Sequence, residues 1–186
     1  MTSMIALWLP ILVSAALVLV VRHLIHTATL WHSGDYSKLP READFVNAVR
    51  PLALPPGDYL VPHASRVAQA KTPESGDTVP ECPLMVMTVL PSGPRTVLKG
   101  LVGWFAYSVV VGAFVAYLAT HVLPFAASHL VVFRFVAVAA FLGYALALWQ
   151  FPIRYARSVT MTIKATVDGL VYALVTAGTF AWLWPH

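Results

Sequence analysis

The sequence predicts an all-α integral membrane protein, a bundle of four transmembrane helices with one long polar loop between the first and the second. Three observations carry this prediction. Of the 186 residues, 59% are hydrophobic and only 11% are charged, whereas a soluble domain carries about a quarter charged residues. Most of the charged residues lie between Asp35 and Lys99. Four apolar runs remain, and each is about as long as the ~20 residues that a helix needs to cross a bilayer.

The first apolar run covers residues 5–21, and we take 5–32 as the first transmembrane helix with its interfacial exit. A cleaved signal peptide would begin with a positively charged stretch. Residues 1–8 carry no charge, and Arg22 follows the run instead of preceding it. We therefore expect a retained helix whose N-terminus lies outside.

Residues 33–100 form the long polar loop. Pro40 and the acidic residues after it predict a short helix over 41–49, because proline and acids suit the first turn of a helix. Segments 59–61 and 84–90 have the composition of short strands. Whether the polar stretch 63–83 is ordered stays open. It contains the single cysteine, Cys82, which excludes an internal disulfide.

Residues 101–186 contain the other three helices, predicted over 101–122, 130–149 and 165–184. Lys and Arg residues occur in the long loop and in the connection between the last two helices, whereas the short hairpin around Pro124 has none. The positive-inside rule then places the long loop in the cytoplasm and both termini outside. The size and layout resemble small inner-membrane proteins of bacteria, which implies a bacterial-type inner membrane as the location.

Ionisable side chains close to helix ends are the candidate site, since charge is costly in hydrocarbon. Asp168 and Lys164 lie near the start of the fourth helix, at the depth of Arg22, His23 and His26 on the first. One interpretation is an ion or proton site built from the aspartate and the two histidines. The other is a boundary ion pair of the aspartate with Arg22 or Lys164, which the expected depth near the boundary favours.

Histidines are the possible metal ligands. His23, His26 and His32 are weak candidates, because their spacing alone does not specify a site and the metalloprotease His-Glu-x-x-His motif is absent. No metal is assigned, and the cofactor stays unknown. On the other side of the membrane, His121, His129 and Arg134 are candidates for contact with lipid headgroups or an anion.

Small residues recur every four positions on three of the helices. Such seams let helices approach closely in lipid or contact another subunit. They are Ser108, Gly112 and Ala116; Ala139, Gly143 and Ala147; and Gly169, Ala173 and Ala177.

Three functional hypotheses follow. The leading one is an accessory or structural subunit, with the lipid bilayer and other membrane subunits as partners. The second is a small transporter or channel that uses Asp168, His26 and His23 at its cytoplasmic mouth. The third is a histidine-dependent haem or metal protein. The basic residues form no run, so no nucleic-acid partner is expected, and phosphate loops and nucleophile motifs are absent, so an enzyme is not favoured.

Overall fold

The computed structural model describes residues 3–61, 63, 85–91 and 95–185, with the backbone alone at 95–97. In chain order the helices are α1 (Trp8–Ala28), α2 (Glu42–Val49), α3 (Arg95–Val122), α4 (His129–Tyr144), α5 (Gln150–Tyr155) and α6 (Val159–Trp182). Two strands, β1 (Gly57–Val61) and β2 (Met85–Val89), lie between α2 and α3. The chain divides into two compact units, Met1–Ser37 with Val97–His186, and Lys38–Thr96.

In its described residues, the first unit contains four helical segments that are long and apolar enough to cross a membrane. They are Met4–Ala28, Leu98–Val122, His129–Tyr155 and Val159–Trp182. The prediction of four such segments is therefore confirmed by length and composition. The chain is mostly helical but not wholly so, because it also has a two-stranded sheet.

The third of these segments is interrupted, which the apolar run 130–149 did not indicate. Helix α4 ends at Tyr144, a 3-10 turn covers Leu146–Trp149, and α5 begins at Gln150. Pro152 gives a physical reason. Proline lacks an N–H and clashes with the preceding turn inside a helix, but it is tolerated in a first turn, where α5 holds it.

The fourth segment begins earlier than the apolar run suggests. Helix α6 starts at Val159 rather than Ala165, because the Ser158 side chain accepts a hydrogen bond from the Met161 N–H at 3.4 Å and caps the helix. Asp168 therefore lies in the third turn of α6, roughly 13 Å along the axis from its first residue. It lies deeper in the bundle than a residue of the first turn would.

Small residues bring the helices of this unit together. A Cβ added at Gly112 would lie 3.3 Å from Ile11 Cγ2 on α1. A Cβ at Gly169 of α6 would lie 2.8 Å from the Cβ of Ala145, directly after α4. In lipid, close packing of this kind drives helices to associate, because the hydrophobic effect does not act between them.

The bundle end that holds the 124–128 hairpin is fixed by polar contacts to backbone. His129 Nδ1 lies 2.5 Å from the carbonyl oxygen of Ala181, and Trp184 Nε1 donates to the carbonyl of Phe125 at 3.0 Å. Between this end and the opposite one the described core is mainly apolar, with Val18, Val115, Val136 and Phe180 almost fully buried, and it also contains the buried hydroxyl groups of Ser14, Ser108 and Thr176.

The second unit contains α2, a 3-10 turn at Arg50–Leu52 and the antiparallel pair β1 and β2. Gly57 pairs with Val89, and Asp58 pairs with Thr88, whose hydroxyl donates to the Asp58 carboxylate at 2.7 Å. The short helix and the two strands expected in the loop are thus observed. Cys82 and nearly all of the stretch 63–83 lie outside the described residues.

Candidate functional site

A chain of polar contacts joins the segment after α1 to the first half of α6. Lys164 Nζ donates to Asp35 Oδ1 at 2.7 Å, His32 Nδ1 lies 2.5 Å from Asp35 Oδ2, and His32 Nε2 lies 2.7 Å from Asp168 Oδ2. Asp168 is only 6% exposed. We call these four residues together with His26 the His–Asp cluster.

Local backbone structure presents His32 and Asp35 to α6. After α1 ends, the carbonyl of Leu30 accepts hydrogen bonds from the Ser33 N–H at 3.1 Å and from its hydroxyl at 2.7 Å. The next turn closes where the Asp35 N–H donates to the His32 carbonyl at 3.2 Å. Lys164 also donates to the Trp31 carbonyl at 2.7 Å, so this turn is attached directly to α6.

His26 brings a second imidazole to the cluster from the last turn of α1. Its ring meets the His32 ring edge to face, with centroids 4.5 Å apart. One donor atom each from His26, His32 and Asp168 lie within 4.8 Å of one another. Neither nitrogen of His26 makes a hydrogen bond to another described residue, so this side chain contributes nothing to the chain of polar contacts that begins at Lys164.

The protonation of His32 follows from its two carboxylate neighbours. Both ring nitrogens face an acceptor oxygen, whereas a neutral imidazole has only one N–H. Both contacts are satisfied only if a second proton, or another cation, lies between Nε2 and Asp168. Burial lowers the pKa of His32, but the hydrogen bonds to Asp35 and Asp168 outweigh it and leave the pKa raised. Hydrogen bonds from Lys164 and then from His32 lower the pKa of Asp35.

Arg22 belongs to a neighbouring contact rather than to the cluster. Its guanidinium lies 4.4 Å from the centre of the Trp104 ring, a cation–π distance. Within the described part of the chain, the Nε atom of Arg22 is buried without a hydrogen-bond partner. The Arg22 side chain forms no ion pair with Asp168 there. Of the two boundary pairings expected for Asp168, neither is made directly, because Lys164 reaches Asp35 instead.

The other residues named from the sequence lie elsewhere. His23 is exposed on α1 and is not among the donor groups that converge with Asp168. His121 contacts the carbonyl of Tyr117 on its own helix at 2.8 Å, and His129 contacts Ala181. Arg134 is exposed on α4. These last three residues are near the opposite end of the bundle and are not brought together with His26 or His32.

The small residues fall mostly inside the bundle. Buried members are Ser108, Gly112 and Ala116 on α3, and Gly169, Ala173 and Ala177 on α6. On α4, Gly143 opposes Val111 and its carbonyl accepts the Tyr107 hydroxyl at 2.6 Å. Ala139 is half-buried, and Ala147, which lies beyond the helix break, is exposed.

A cleft of about 710 Å³ opens beside the His–Asp cluster. His26, His32, Asp35 and Asp168 line it, as do Gly100 and Gly103 of α3. Four aromatic side chains, which we call the aromatic wall, also line it: Trp104, Tyr107, Tyr144 and Tyr172. Successive rings of this wall meet edge to face at centroid distances of 5.5–6.1 Å, the arrangement that aromatic quadrupoles prefer.

Sequence reasoning grouped His26 with Asp168 and His26 with His32, but it did not join His32 to Asp168, or to Lys164 through Asp35. The i, i+3 spacing of His32 and Asp35 was the available signal, since a turn brings such residues together. A scan against protein-family models, and searches of curated proteins and of solved structures, found no match. Geometry is therefore the sole basis for a functional assignment.

Proposed function

We propose that this chain is a multi-pass membrane protein that binds a divalent first-row transition-metal ion through His26, His32 and Asp168. The observation that carries the proposal is the convergence of two imidazoles and one carboxylate, whose donor atoms lie within 4.8 Å of one another. Imidazole suits zinc, iron, cobalt and copper, and two histidines with one carboxylate form a known ligand set for ferrous iron.

Large apolar side chains on the outer faces of the helices support a location in a membrane. Large apolar side chains such as Val110, Phe114 and Leu142 are 52%, 68% and 52% exposed on helices that have the length of membrane spans. In water, a continuous surface of this kind would drive aggregation. We propose a bacterial-type inner membrane with both termini outside, so that the His–Asp cluster faces the cytoplasm.

The surroundings of His32 are those of a metal ligand. A metal-binding histidine usually donates its second N–H to a carboxylate, which fixes the tautomer and the ring orientation. Asp35 provides that carboxylate at 2.5 Å from Nδ1, and Lys164 donates a hydrogen bond to the other carboxylate oxygen of Asp35. With Nδ1 protonated, the Nε2 lone pair points to Asp168, where the ion would lie.

Only small movements would convert the observed contacts into a coordination sphere. Ligands about 2.0–2.2 Å from one ion lie roughly 3–3.5 Å apart from each other. The His32–Asp168 contact would open from 2.7 Å. The widest separation among the three donor atoms, at most 4.8 Å, would close by rotation of the His26 side chain, which no hydrogen bond restrains.

The two other hypotheses have less support. The accessory-subunit hypothesis depended on small-residue seams that would be available to a partner, but the seams of α3 and α6 are buried within the chain itself. Transport through the bundle needs a continuous polar path. The cleft reaches Tyr107, Tyr144 and Tyr172, and the described core beyond them is mainly apolar, with isolated buried hydroxyl groups such as those of Ser108 and Thr176.

The test is calorimetric titration of Zn²⁺ into purified protein that has been stripped of metal in detergent. We expect one ion per chain, and at least tenfold weaker binding in His26→Gln. This variant is informative because His26 makes no hydrogen bond to the rest of the cluster, so its loss leaves the ion-pair chain intact.

The matched control is His23→Gln, which changes a histidine one turn earlier on the same helix and should bind Zn²⁺ as the wild type does. The absence of binding in the wild type would leave the cluster as an ion-pair network that attaches α6 to the turn after α1. Wild-type affinity in both variants would remove His26 from the site.

A further inference from the structure

The metal site would be open on one side. Three protein donors leave at least one position of a four-coordinate ion unfilled, which distinguishes catalytic or ligand-binding metal sites from closed structural ones. Among the described residues, no further histidine, cysteine or carboxylate joins the three donors, since Asp35 already contacts His32 and Lys164. The unfilled position faces the cleft, whose wall contains the three ligands.

The cleft is much larger than a hydrated ion requires. A water molecule takes about 30 Å³, so a volume of about 710 Å³ would hold on the order of twenty waters. Small-molecule sites measure roughly 300–1,000 Å³. The volume therefore corresponds to an ion together with an organic molecule.

The lining of the cleft specifies an apolar body for that molecule. Trp104, Tyr107, Tyr144 and Tyr172 form one wall. At Gly100 and Gly103, which also line the cleft, a Cβ would meet nothing within 4 Å, so a bound molecule has open space beside them. The cleft reaches Tyr144 and Tyr172, which lie near the middle of the apolar segments His129–Tyr155 and Val159–Trp182, so a ligand dissolved in the bilayer can enter it.

The charges around the ion favour an anionic head group on the molecule that binds in the cleft. Two carboxylates, Asp35 and Asp168, balance a divalent ion when both histidines are neutral. The Lys164 ammonium and the Arg22 guanidinium beside Trp104 then leave two positive charges in excess. An anionic oxygen donor would offset part of this charge and complete the coordination of the ion, since hard or borderline metal ions accept oxygen ligands.

From these four features, and on the basis of the proposed metal site, we infer that the cleft binds an amphipathic, membrane-soluble molecule whose anionic oxygen head coordinates the metal ion. Its apolar body lies against the aromatic wall. Acyl chains and aromatic rings both fit this description, and the experiment distinguishes between them.

The experiment uses the full-length protein loaded with Co²⁺, whose visible spectrum reports on coordination. Octanohydroxamate and benzohydroxamate are titrated as acyl and aromatic probes with one chelating anionic head. We expect each effective probe to change the spectrum and to bind at least tenfold more weakly to Gly103→Phe, whose side chain would occupy part of the cleft. A response to only one of the two probes identifies the kind of body that the cleft accepts.

Gly178→Phe is the matched control, because Gly178 also has open space around it but does not line the cleft. It should bind the probes as the wild type does, which excludes a general effect of phenylalanine or of probe partitioning into detergent. Equal probe affinity in Gly103→Phe and Gly178→Phe would overturn the inference, as would a cobalt spectrum that neither probe changes. Failure of Co²⁺ to bind at all would instead overturn the proposed function.

Discussion

Replacement of Gly169 by alanine tests how closely α6 must approach the break after α4. The added Cβ would lie 2.8 Å from the Cβ of Ala145, 3.3 Å from its Cα and 3.4 Å from the carbonyl carbon of Tyr144. These atoms are backbone or attached directly to it, so no side-chain rotation relieves the clash. Overpacking of this kind costs about 1–3 kcal/mol.

A second effect of the substitution has the opposite sign. Alanine favours a helix over glycine by about 0.5–1 kcal/mol, and Gly178→Ala isolates this gain because its Cβ enters open space on the same helix. We expect Gly169→Ala to be about 1–3 kcal/mol less stable than Gly178→Ala. Gly143→Ala should fall between them, since its Cβ meets the Val111 side chain at 3.1 Å, which can rotate.

The assay is reversible unfolding in mixed micelles with increasing SDS, followed by circular dichroism. Because Gly169 is adjacent to Asp168, the backbone shift in Gly169→Ala should also weaken Zn²⁺ binding, which Gly178→Ala should preserve. If Gly169→Ala proved as stable as Gly178→Ala, the close contact between α6 and Ala145 would be refuted.

Three further predictions concern other parts of the chain. Asp35→Asn should weaken Zn²⁺ binding about 10–100-fold in calorimetry, because loss of a carboxylate behind a ligand histidine has that effect; unchanged affinity would remove Asp35 from the site. In intact cells, an impermeant maleimide should leave Cys82 unlabelled but label Ala126→Cys in a Cys82→Ser background, and the reverse pattern would invert the topology. Trp184→Phe should lose about 1 kcal/mol of unfolding free energy in SDS titration, as expected for one hydrogen bond, with metal affinity unchanged; an unaltered free energy would make the bond energetically unimportant.

Much of the fold could be predicted from the sequence because its signals are local. Each apolar run carries the length of a spanning helix within itself. The short helix after Pro40 and the strands β1 and β2 likewise follow from nearby residues. The helix break at Ala145 was missed because the run 130–149 is uniformly apolar, and Pro152, which disfavours an uninterrupted helix through this segment, lies beyond the end of that run.

The candidate site was predictable only in part, because it depends on contacts distant in sequence. His32 and Asp168 are separated by 136 positions, and their contact at 2.7 Å follows from the packing of α6 and the turn at 30–35. Hydropathy also placed the start of the fourth helix at Ala165, which made Asp168 look like a boundary residue. The Ser158 cap moves that start to Val159 and changes the depth of the carboxylate.

Metal coordination is the central claim, and X-ray absorption spectroscopy of the zinc-loaded protein tests it most directly. We expect a first shell of nitrogen and oxygen at about 2.0–2.2 Å, with the outer-shell scattering of two imidazole rings, and one ring fewer in His26→Gln. A sulfur ligand at about 2.3 Å would place the ion at Cys82. A shell of water oxygens without imidazole scattering would likewise contradict a site formed by His26, His32 and Asp168.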